Sequence, residues 1–181
     1  MAVLSITEVI NLIIITVVLG YIFSGFIHRP GDQRSFTWRS LLFAAIVAAP
    51  AVIFHELGHK LVAIALGLTA TFHIFWAGLA LGVILRLFSA PFLILAPAYV
   101  SFSQSASALA STLIAVAGPG MNLVLWLTSM TVLRYKKELT TKETMGWMIS
   151  KKLNFFLFWF NLLPIPPFDG WHVLTGIITL F

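Results

Sequence analysis

Long apolar runs, set apart by two short polar and basic stretches, dominate the chain. Residues 3–26, 39–66 and 106–133 are each apolar over more than the roughly 20 residues a membrane-crossing helix needs. The first run is too long for a signal peptide and lacks a basic start and a small-residue cleavage site, so it reads as a retained helix. Glu8, near its end, is expected at the membrane interface. A further run, residues 147–181, is interrupted by "PIPP". Proline cannot continue a helix interior, so the pattern predicts a helix that stops near Leu163 and another that restarts near Asp169.

Residues 68–105 follow a different pattern. "ATFHIFWAG" and "LILAPAYVSF" are rich in β-branched and aromatic residues and bounded by Gly and Pro, which suits short strands. The apolar stretch between them carries Arg86 near its centre, which disfavours one clean span. Membrane-associated strands or a re-entrant hairpin are expected there. In the third span "AVAGPGMN" places Gly118, Pro119 and Gly120 mid-helix, where close packing or a kink is expected. The expected fold is an all-α polytopic membrane protein, a bundle of about four to six transmembrane helices with a short β or re-entrant region at 68–105. We expect a single membrane-embedded domain over 1–181, with its core at about 39–175 and residues 1–38 as an accessory first helix and loop.

Composition agrees with the pattern. The chain is 60% hydrophobic and 9% charged, with a mean hydropathy of +1.00, whereas soluble domains are nearer half apolar and a quarter charged. An integral, multi-pass protein of the cell membrane is the expectation. The absence of cysteine excludes disulfides and thiolate metal ligands. The net charge of +5 is concentrated beside the spans. Arg29, Arg34 and Arg39 lie in "HRPGDQRSFTWR"; Arg134, Lys136, Lys137, Lys142, Lys151 and Lys152 lie in or beside "RYKKELTTKETMG". Basic loops in such places set topology and meet lipid headgroups, so the bilayer is an expected partner and nucleic acid is not.

The chemistry concentrates in "AVIFHELGHKLVAIALG", residues 51–67. Ionisable groups inside an apolar span are costly and mark function. H-E-x-x-H on a helix stacks His55 and His59 on one face, where two imidazoles can bind one Zn²⁺. Glu56, beside them, can take a proton from an activated water. Lys60 can snorkel its ammonium to the interface on a long stem. A catalytic zinc needs a third protein ligand. Of the six acids, Asp32, Glu138 and Glu143 lie in polar stretches and Glu8 near a terminus. Asp169 alone remains in an apolar setting, at the break in the last helix, and is the expected third ligand. An Asp at a helix restart also serves as an N-cap, and "PPFDG" suits a turn. His73 and His172 compete for the same place; His172, three residues on, could instead share the face of Asp169 as a supporting partner, and His73 lies in the strand region.

Together, "HELGH", "GPGMN" and "NLLPIPPFDG", in that order and each in an apolar run, resemble the three signatures of the site-2 protease family of intramembrane zinc metalloproteases, over about residues 39–175. The resemblance implies one zinc per chain on His55, His59 and Asp169, with Glu56 as general base. It implies that Asn161 supports the substrate or the developing oxyanion and that Asn122 supports helix packing or the site. The implied substrate is a membrane protein with a transmembrane or membrane-associated segment. Phe168 stands where the family usually has Leu before Asp-Gly, and the prolines are bunched. The rival expectations are a metal transporter or sensor using the same ligands without hydrolysis, and an inactive structural relative. The basic loops, placed in the cytoplasm by the positive-inside rule, would open the site outward. The resemblance implies a site nearer the cytoplasmic face, and that is the expectation adopted.

Overall fold

The computed structural model describes residues 3–25, 37–89, 97–103 and 106–180. Most of the basic stretch 28–39 and the strand approach 93–96 lie outside the described residues.

The first helix, α1 (Ile6–Phe23), is started by a capping box: the Glu8 N–H donates to the Ser5 hydroxyl at 3.3 Å, and the Ser5 N–H donates to the Glu8 carboxylate at 2.8 Å. Thr37 caps α2 (Trp38–Ala65), whose 28 residues extend about 42 Å and run on through Pro50. Then β1 (Ala70–Ile74), α3 (Trp76–Leu87) and β2 (Ala98–Phe102) follow. The strands pair antiparallel, with Phe72 opposite Val100. Ser107 caps α4 (Ala108–Tyr135), and a Thr140–Glu143 capping box starts α5 (Thr141–Asn161). The "PIPP" break separates α5 from α6 (Asp169–Leu180), close to where the prolines require it.

The molecule is thus mainly helical, with six helices and one two-stranded sheet among the described residues. The two strands fall in the two segments whose composition marks them. The helix between them was not expected. At 12 residues α3 extends about 18 Å, short of the roughly 30 Å hydrocarbon core, so Arg86 need not cross a membrane. Its Gly78, Leu79 and Gly82 form the buried face. Pro119 does not break α4, and the close packing expected around it is realised at Gly118.

Three described helices, α1, α2 and α4, are long and apolar enough to cross a membrane. Ile6, Ile10, Ile13 and Val17 of α1 and Leu109, Leu113, Val116 and Leu127 of α4 are turned outward. Rows of large apolar side chains fit a hydrocarbon surrounding, and the three helices fit a membrane protein. In the interior, Ile15 and Leu19 of α1 pack with Ala49 and Val52 of α2 and with Phe72, Ile74, Leu79 and Ala98 of the strand region.

Two expectations are corrected here. Glu8 is not at an interface: it is buried at 4% exposure and accepts hydrogen bonds from the Lys60 ammonium and the Phe72 N–H, the latter at 2.7 Å. Lys60 does not snorkel, because that carboxylate neutralises it where it stands. This pair ties α1 to both α2 and β1.

Chain direction sets where the motifs meet. A Cβ on Gly58 would lie 2.7 Å from the Ala117 carbonyl, and Asn122 reaches the Ala51 carbonyl, so α4 runs antiparallel to α2. Gly176 of α6 packs on Ala108 and Thr112 of α4, so α6 runs antiparallel to α4 and with α2. His55, His59 and Asp169 therefore reach one depth, at the end of α2 that leads into the sheet.

Candidate metal centre

One helical turn separates His55 from His59, and their rings meet edge to face with centroids 4.7 Å apart. Their Nε2 atoms are 3.1 Å apart. Asp169, the first residue of α6, brings Oδ2 to 3.1 Å from His55 Nε2 and 3.4 Å from His59 Nε2. The two histidines are buried, and the three side chains form the group of possible metal ligands found among the described residues.

The tautomers follow from the neighbours. His59 Nδ1 lies 2.7 Å from the Ile114 carbonyl, which can only accept, so Nδ1 carries the proton. His55 Nδ1 lies 2.7 Å from Asn122 Oδ1. That oxygen also only accepts, because the Asn122 amide nitrogen is spent on the Ala51 carbonyl and on Asn154 Oδ1, both at 2.9 Å. With Nδ1 so engaged, each ring in its neutral form turns an Nε2 lone pair into the centre, where Asp169 Oδ2 is buried with no hydrogen-bond donor among the described residues. Three lone pairs within 3.4 Å repel one another unless a cation lies between them. Three ligands about 2.0–2.2 Å from a tetrahedral centre would be about 3.3–3.6 Å apart, close to what is found. The donor set, two imidazoles and a carboxylate, suits zinc.

The centre forms part of the wall of a cavity of about 560 Å³. Glu56 lines it, and no described residue hydrogen-bonds to its carboxylate. Asn161 lines it as well, with one amide N–H on the Leu157 carbonyl at 3.0 Å. His172 lies on the same wall but is exposed, and its ring makes no hydrogen bond to a described residue, so support of Asp169 is not what its position shows. Phe168, also on the wall, packs its ring on Phe160 with centroids 4.4 Å apart. From the sheet, β2 supplies Ala98, Tyr99, Val100 and Phe102 to the wall, and β1 supplies none. His73 lies elsewhere: it stacks on Tyr99 and bonds to Ser101 across the sheet at 2.9 Å.

Asn154 is the residue the sequence reading passed over. It is buried at 1% exposure and holds Asn122 from α5. The available signal was a second asparagine two turns before Asn161 in an apolar stretch, where an amide needs a partner.

The chain is similar to known proteins over most of its length. It is 32% identical over 168 residues to a protein of Methanocaldococcus jannaschii named "Putative zinc metalloprotease", covering 92% of this chain and 83% of that one. It is 35% identical over 78 residues to a Bacillus subtilis protein with the same description, covering 39% of this chain and 36% of the relative. No protein-family model matches the chain, and no solved structure matches it. Similar along most of both chains and carrying a donor set fit for zinc, the chain belongs to the zinc metalloprotease family of the Methanocaldococcus jannaschii relative.

Proposed function

We propose that the protein is an intramembrane zinc endopeptidase of the site-2 type, multi-pass in the cell membrane, acting on membrane proteins in or near their transmembrane segments. The observation that carries the reading is His55, His59 and Asp169 converging beside Glu56, which lines the cavity with no hydrogen bond from a described residue, within helices apolar enough for a bilayer. His55, His59 and Asp169 would hold the ion. Zinc held there would supply Lewis acidity, lowering the pKa of a water toward neutrality and polarising a carbonyl oxygen.

The rest is done by the chain. Glu56, facing the cavity, takes the proton of the attacking water and hands it to the leaving amine. Asn161 keeps a second amide N–H for the developing oxyanion. A helical substrate hides its carbonyls in its own backbone bonds and must unwind first. The outer edge of β2 offers the unwound segment a strand to pair with, beside the cavity. The outer edge of β1 is partly taken, since the Phe72 N–H is committed to Glu8.

Purified protein is expected to cleave a reporter carrying a transmembrane segment, to stop after zinc is chelated, and to recover when zinc is restored. Undiminished cleavage by fully zinc-depleted protein would contradict the reading.

A further inference from the structure

Behind the centre, a line of buried amides runs outward from His55. His55 Nδ1–H donates to Asn122 Oδ1 at 2.7 Å. Asn122 Nδ2 donates to the Ala51 carbonyl and to Asn154 Oδ1, each at 2.9 Å. Asn154 Nδ2 donates to the Ser150 carbonyl at 2.8 Å and to the Ser150 hydroxyl at 3.2 Å. The Ser129 hydroxyl, buried on α4, closes the row on Ser150 at 3.1 Å.

The row has a direction. An amide can turn over and exchange its oxygen and nitrogen, but a main-chain carbonyl cannot become a donor. The Ser150 carbonyl fixes Asn154 with its nitrogen outward and its oxygen toward Asn122. The Ala51 carbonyl and Asn154 Oδ1 together then occupy both amide hydrogens of Asn122. Its oxygen is left facing His55, which must present Nδ1–H and, as the neutral ring that a metal ligand requires, turns the Nε2 lone pair to the centre. His59 needs no such row, because the Ile114 carbonyl sets it directly.

We propose that Asn154 is a positioning residue for the metal centre, acting from α5 through Asn122 to hold the His55 ring and tautomer. This rests on the zinc reading given above. Removing Asn154 strands one buried N–H of Asn122 and leaves that amide free to rock. Partners of this kind behind a metal ligand typically change affinity 10–100-fold. Because the effect passes through Asn122, it should vanish once Asn122 is gone.

The test is zinc affinity by chelator competition on the full-length chain in detergent, for wild type, Asn154→Leu, Asn154→Ala, Asn122→Ala and the Asn122→Ala/Asn154→Ala pair. Leucine keeps the branched shape and heavy-atom count of asparagine without its polar atoms, so it guards against loss by cavity formation. Each Asn154 variant should bind zinc roughly 10-fold more weakly. The double variant should bind no more weakly than Asn122→Ala alone. Wild-type affinity in both Asn154 variants would overturn the proposal, as would losses that multiply in the double variant. If neither Asn154 variant folds, the role is packing and the proposal fails. A wild-type protein that takes up no zinc would instead overturn the metal reading beneath it.

Discussion

Gly118 leaves room for the metal centre by having no side chain. A Cβ there would collide with the His59 ring and come to 2.8 Å from His55 Cε1, whereas one on Gly120 would meet nothing within 4 Å. Gly118→Ala is therefore expected to displace both imidazoles and abolish zinc uptake. Gly120→Ala should leave zinc intact and gain up to about 1 kcal/mol of helix stability. Zinc content and the thermal midpoint of the two variants check this, and equal zinc in both would contradict it. At this scale the sequence is informative wherever chemistry is local. H-E-x-x-H and Asp169 were legible because an ionisable group in an apolar run has few bland uses. Asn154 was not, because its partner lies 32 residues away and only the packing of α5 on α4 brings them together.

Among the helices, the Glu8–Lys60 pair is the joint between α1, α2 and β1. Both side chains are at most 5% exposed. Losing one partner of a buried pair leaves an uncompensated charge and costs about 3–5 kcal/mol, while replacing both is far milder. Lys60→Met should thus lower the unfolding midpoint in detergent sharply, and Glu8→Gln/Lys60→Met should recover much of the loss. A double variant less stable than Lys60→Met would contradict this. The positions of α1, α2 and α4 were legible from run length alone, and the "PIPP" break from proline geometry. The shortness of α3 and the burial of Glu8 were not. A lone acid near a terminus looks like an interface residue until its partner, 52 residues on, is seen beside it.

For the molecule as a whole, α2 and α6 run the same way, so their motifs lie toward the end of α2 that leads into the sheet, opposite the basic stretches where α2 begins and where α4 gives way to α5. A site that opens to the cytoplasm puts those stretches outside. Single cysteines at Ser35 and Thr141 should then react with an impermeant thiol reagent only from the external face, the chain having no cysteine of its own. Labelling of both from the cytoplasmic side alone would reverse the orientation. Which side faces inward is not legible from charge, because the positive-inside rule and the motif resemblance point opposite ways. The most direct test of the whole account is the Glu56→Gln variant, assayed for bound zinc and for cleavage of a transmembrane reporter on the same sample. Substituting this group removes the proposed proton acceptor and leaves the three candidate ligands in place. The expected result is one zinc per chain with nearly all cleavage lost; cleavage at the wild-type rate, or loss of the zinc, would contradict it.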